Sequence, residues 1–134
     1  VRRLRSVRDQ VRAATERAER AGIDGDWTAA RETVVEALDA LEDELIQHRS
    51  EASQDPINFP PRIDDQIAYL YSHVVEGYGR PTAGAYRRLE DLRAELAPLT
   101  ARLRELFEGR VAELDERLRA AGVAGVVLAP QPPR

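Results

Sequence analysis

Residues 82–121, TAGAYRRLEDLRAELAPLTARLRELFEGRVAELDERLRAA, constrain the fold more than any other part of the chain. Tyr86, Leu89, Leu92, Leu96, Leu99, Leu103 and Leu106 recur at steps of three and four, and Arg, Glu and Asp fill most positions between them. That spacing follows the turn of an α-helix and draws one apolar stripe along a charged rod. At about 1.5 Å per residue the rod is roughly 60 Å long, about twice what any other helical stretch here offers, so the shorter helices share its length. Pro98 lacks an N–H and its ring crowds the preceding turn, which predicts a kink; Leu96, Leu99 and Leu103 keep the stripe on both sides and argue against a break. After Leu106 the stripe changes phase to Phe107, Val111, Leu114 and Leu118, which predicts a stutter near Gly109. Gly122 ends the helix.

The remaining elements are shorter. Val1, Leu4, Val7, Val11, Ala14, Ala18 and Ala21 mark a helix that Gly22 terminates. Asp26 is placed to cap a second helix with Trp27, Ala30, Val34, Leu38, Leu41 and Leu45 on one face, and the short connection makes the pair an antiparallel hairpin. SEASQDPINFPPR at 50–62 cannot continue a helix, since it holds three prolines among small polar residues. Ile57 and Phe59 are apolar within it, so it reads as an ordered strap lying against the helices, with Asp55 and Asn58 satisfying free backbone groups. Pro61 opens a third helix, where Asp64 and Asp65 favour the positive end of the dipole and Ile63, Ile67, Leu70, Tyr71 and Val74 share a face. It ends in Gly77-Tyr78-Gly79-Arg80-Pro81, and Thr82 caps the long helix. The expected fold is an all-α, four-helix up-down-up-down bundle over 1–21, 27–47, 63–76 and 83–121, in a single domain of 134 residues.

This pattern leaves little room for chemistry. The chain has no Cys and only two separated histidines, His48 and His73, which removes disulfides, thiol nucleophiles and the usual zinc spacings. Glu42, Asp43, Glu44 and His48 invite comparison with carboxylate-bridged metal bundles. Those need Glu-x-x-His, and here Leu45 precedes His48 and Leu70 precedes His73 by three residues. No metal, cofactor or catalytic residue is expected. A net charge of −4 argues against nucleic acid, and no apolar run approaches the ~20 residues that span a bilayer. Tyr69, Tyr71, Tyr78 and Tyr86 read first as packing at the edge of the core and second as a binding surface.

Charge is distributed unevenly. Residues 1–21 carry seven Arg against three acids, and residues 24–46 carry eight acids against one Arg. The plain reading is mutual attraction across the hairpin, each exposed pair being worth at most ~1 kcal/mol. The sharper one makes Arg2, Arg3, Arg5, Arg8 and Arg12 a patch for a membrane surface or an acidic partner. All basic residues are Arg, and there is neither Lys nor Met. Together with a start directly inside a helical pattern, this reads as a piece of a longer protein from a G+C-rich bacterial genome. VAGVVLAPQPPR at the other end reads as an apolar segment either packed back on the helices or cut short.

The strap and turn also resemble a known family. Ser53, Gln54, Asp55, Asn58, Phe59 and Pro60, then Pro81 and Thr82, then Ala121, Gly122 and Val123 are similar to the helical C-terminal region of large bacterial proteins built on a sortilin-like, glycosyl-hydrolase-like β-propeller. Asp64 and Asp65 depart from that pattern, which has amides there, and Ala124 stands where it has proline. The resemblance implies a non-catalytic accessory domain that follows a β-propeller in the same polypeptide and packs on it or on another protein, with export of the whole protein to the periplasm or medium. It brings no catalytic residue with it.

Overall fold

The computed structural model describes residues 1–48, 58–77 and 79–128. The chain is all-α: four stretches of helix lie within two residues of the expected bounds, and no strand occurs among the described residues. They are α1 (Arg2–Arg20), α2 (Trp27–Leu45), α3 (Ile63–Glu76), and a last stretch made of α4 (Ala83–Leu106), a π-helical turn (Phe107–Val111) and α5 (Ala112–Ala120). Contacts gather in two compact units, the first Val1–Ala40 with Leu103–Arg134 and the second Leu41–Arg102.

In the first unit the middle of the α1 stripe is buried, at Leu4, Val7, Val11, Ala14 and Ala18, whereas its ends, Val1 and Ala21, are exposed. Thr15 is buried beside them because its hydroxyl donates within its own helix, to the Val11 and Arg12 carbonyls at 2.9 and 3.1 Å, so it brings no unpaired polar group inside. Gly22 closes α1 with φ at 65°, where the Gly22 and Ile23 N–H groups bond back to the Glu19 and Ala18 carbonyls. Asp26 Oδ1 then accepts the Ala29 N–H at 3.1 Å and starts α2 as expected.

The expected attraction across the hairpin takes a specific form. Arg8 reaches Asp39 at 2.5 Å, while Glu19 accepts from the Thr28 hydroxyl at 2.7 Å and from Arg31 at 3.2 Å. Early residues of α1 thus meet late residues of α2, which makes the pair antiparallel. The Thr28 hydrogen bond, then Arg31, holds the Glu19 carboxyl below its ordinary value. Trp27 is buried, donates from Nε1 to the Ile23 carbonyl at 2.9 Å, and has the Arg117 guanidinium 5.3 Å from its ring.

The predicted stutter is the π-helical turn. Ala112 N–H bonds to the Phe107 carbonyl, five residues back, which widens one turn by a residue. Leu103, Phe107 and Val111 follow one another at steps of four, too slow for an α-helix to keep on one side, and the wider turn absorbs the excess. Phe107, Val111, Leu114 and Leu118 are all buried as a result.

Beyond α5 the chain turns back on the same unit. Gly122 (φ 77°) ends the helix as Gly22 ends α1, with Gly122 and Val123 N–H bonded to the Arg119 and Leu118 carbonyls. Val126 is buried, and side chains of α1 and α5 hold the backbone around it.

The second unit is built on the end of α2, the loop 58–62, α3 and most of α4. Among the described residues Leu41, Leu45, Ile63 and Leu92 are its buried apolar side chains, and Glu42 is buried with them. Arg102 donates to Glu44 at 2.7 Å and Gln47 to the Pro60 carbonyl at 3.1 Å. The Arg102 hydrogen bond lowers the Glu44 carboxyl from its ordinary value. Asp65 accepts the Arg62 N–H at 3.3 Å and Thr82 Oγ1 accepts the Ala85 N–H at 3.2 Å, so both perform the capping roles their positions imply. Pro98 lies inside α4, which continues through it.

Candidate functional site

The feature of the second unit that stands out is its α3–α4 hairpin. The sequence reading places Ile67 and Tyr71 of α3, and Tyr86 and Leu89 of α4, on packed seams; all four are exposed instead. Ile63 is the one buried residue of α3 and Leu92 of α4, so the rest of each apolar stripe is partly or fully open to solvent. Tyr69 is 76%, Tyr71 68%, Val75 61% and Tyr86 57% exposed. The tyrosines are therefore surface residues and not edges of a core. Tyr78 lies outside the described residues.

Two of the grooves that described residues of this hairpin form are large enough to hold a side chain or more, beside a small pocket of about 110 Å³ at its turn. The smaller, of about 290 Å³, is lined wholly by apolar surface from Ile67, Leu70, Tyr71, Val74, Pro81, Ala85, Tyr86, Leu89 and Leu92. The larger, of about 590 Å³, has a floor of Pro61, Leu70 and Ala85 with Asp65, Gln66, Tyr69, His73, Thr82 and Arg88 around it. Several of its polar groups are engaged: Arg88 donates to Gln66 and to Glu95, and Asp65 and Thr82 cap helices, while the His73 ring stacks on Tyr69 with centroids 6.5 Å apart. Such a lining can hold an apolar or aromatic group, and offers no nucleophile paired with a base.

The other sequence candidates fall elsewhere. Arg8 and Arg12 both approach Asp39, at 2.5 and 3.8 Å, and the Arg3 guanidinium lies 5.0 Å from the Phe107 ring centroid. The structure thus turns Arg3, Arg8 and Arg12 onto their own unit, and Arg2, Arg5 and Arg12 are exposed residues. Of the strap, Ser53, Gln54, Asp55 and Ile57 lie outside the described residues; Asn58 and Pro60 are exposed and Phe59 is half-buried. His48 stands 3.8 Å from Glu42 and 3.9 Å from Asp43, and among the described residues no group of three or more His, Asp or Glu is placed to hold a metal ion. No helix among them is long and apolar enough to cross a membrane.

Comparison with known proteins adds no likeness to these observations: no family model matches the chain, and neither a curated protein nor a solved structure matches it.

Proposed function

We propose that the chain is a non-catalytic helical interaction domain that docks on a folded protein through its α3–α4 hairpin, the neighbour being the β-propeller that the strap-and-turn resemblance implies. The observation that carries this reading is the solvent exposure of Tyr69, Tyr71, Val75 and Tyr86 along one hairpin beside an apolar groove. Aromatic residues are enriched at the centres of protein interfaces, and a tyrosine suits one well because its ring packs while its hydroxyl stays hydrogen-bonded. Tyr71 and Tyr86 line the apolar groove and Tyr69 the larger one, and exposed apolar surface of this kind is costly to keep in a monomer and marks an interaction site.

The test is a binding measurement between this chain and the propeller encoded upstream of it, the two expressed separately. Wild-type chain should bind, and Tyr71→Asp with Val75→Asp should weaken binding at least about tenfold, the loss expected from one interface anchor. Both positions are exposed, so the fold survives the change. No measurable binding by wild type, or equal binding by the variant, would overturn the proposal.

A further inference from the structure

The larger groove of the α3–α4 hairpin carries a column of side chains along one wall. Asp65, Tyr69 and His73 follow one another at steps of four in α3, so they stand on the same side of the helix, one turn above the next. The Tyr69 and His73 rings lie within 11° of parallel, and both residues are exposed. Pro61, Leu70 and Ala85 supply apolar surface beside them. At about 590 Å³ the groove has the size of a small-molecule site, for which roughly 300–1,000 Å³ is usual.

The charge of a molecule that fits there follows from what the lining has left over. Arg88 donates to Glu95 at 3.0 Å, has Asp91 at 4.0 Å and gives a further N–H to Gln66, so two carboxylates already answer its charge. Gln66 is used at both ends of its amide, since Nε2 donates to the Pro61 carbonyl at 3.1 Å. Asp65 differs from both. One of its oxygens accepts the Arg62 N–H at 3.3 Å, and among the described residues no cationic side chain pairs with it. An unanswered carboxylate one helical turn from an exposed aromatic face suits an organic cation, because the carboxylate supplies the opposite charge and the ring attracts a cation that comes within about 6 Å of its centre. An anion would meet Asp65 and find Arg88 occupied.

We propose that this groove binds a small organic cation with a flat apolar body, the charged nitrogen held by Asp65 and Tyr69 and the body lying on Leu70, His73 and Ala85. Tyr71 and Val75, which the docking test replaces, do not line this groove, so docking and cation binding can fail separately.

Probes that share one indole body and differ in charge test the assignment. Tryptamine as the cation, N-acetyltryptamine as the neutral form and indoleacetate as the anion are titrated into isotope-labelled chain and followed through its amide resonances. Tryptamine should move the Leu70, His73 and Ala85 amides and bind at least about tenfold more tightly than either of the others. In Asp65→Asn, which keeps an oxygen for the Arg62 N–H and so the helix cap, that preference should vanish. Tyr69→Ala should weaken tryptamine several-fold, and Tyr71→Ala should leave it unchanged, both positions being exposed. Equal binding of the probes by wild type, or no binding of tryptamine at millimolar concentration, overturns the proposal with no variant needed. A preference that survives Asp65→Asn, full affinity in Tyr69→Ala, or shifts confined to the apolar groove beside Tyr71 and Tyr86 overturns it too.

Discussion

If the π-helical turn is one surplus residue absorbed by a wider loop of backbone, removing that residue should leave the flanking helices in phase. Deleting Gly109 lets Phe107–Val111 relax to an ordinary α-turn while Leu114 and Leu118 stay on the buried side. Gly109 suits the deletion because a Cβ there would touch nothing within 4 Å, so no packed side chain is lost. The expected change in stability is within about 1 kcal/mol, the size of an ordinary helix-propensity difference. Deleting Glu116 is the matched control. There the helix has no surplus residue, so Leu118, now 0% exposed, swings by about 100° off the buried face. That forfeits roughly the 2–5 kcal/mol of a buried leucine. Urea denaturation followed by Trp27 fluorescence reads both, since Trp27 is the chain's one tryptophan and is buried in the same unit. With a urea slope of about 1–3 kcal/mol/M the control midpoint falls by about 1 M or more, and the Gly109 deletion hardly moves. A Gly109 deletion as damaging as the Glu116 deletion would refute this account of the stutter.

Three further outcomes follow from the same geometry. Gly109→Ala should raise the stability by about 0.5–1 kcal/mol, read as a higher urea midpoint, because the position is helical and open; a lower midpoint would show a constraint on the π-turn that packing does not reveal. Glu19→Gln should destabilise at neutral pH and cost little in acid: the folded carboxyl lies below its ordinary 4.5, so its contribution is present above that value and is lost as pH falls through the lowered one. Equal losses at pH 7 and pH 3 would contradict it. Phe59→Ala, which the sequence alone values at about 3 kcal/mol or more for a buried ring, should cost about half that, since the ring is half-buried; an unchanged urea midpoint would move the strap from structure to binding.

Much of this fold is legible in the residues because local signals agree with one another. Gly22 and Gly122 follow apolar stripes where a left-handed residue must end a helix, and both adopt positive φ. The clash of phase between Leu106 and Phe107 marks the π-turn directly. Thr15 escapes a reading by hydropathy because its hydroxyl is satisfied inside its own helix, a fact of geometry and not of composition. Tyr71 and Ile67 were assigned to a seam for the opposite reason. Periodicity identifies an apolar face, yet what covers that face is decided by the neighbours, and here nothing in the residues of α3 separates a buried stripe from an exposed one. The packing around Val126 was equally hidden, since Gln10, Arg17 and Asp115 stand more than a hundred positions apart at the extremes and meet only in the folded unit.

The proposed docking role rests on the α3–α4 hairpin, and hydroxyl-radical footprinting tests it where the side chains are. In the isolated chain Tyr69, Tyr71 and Tyr86 should all oxidise readily, as their exposure of 57% or more requires. The proposal puts a propeller in the same polypeptide, and when the two are joined oxidation of at least two of them should fall several-fold while exposed sites outside the hairpin, such as Val127, keep their rate. Equal oxidation of these tyrosines in both proteins would contradict the account.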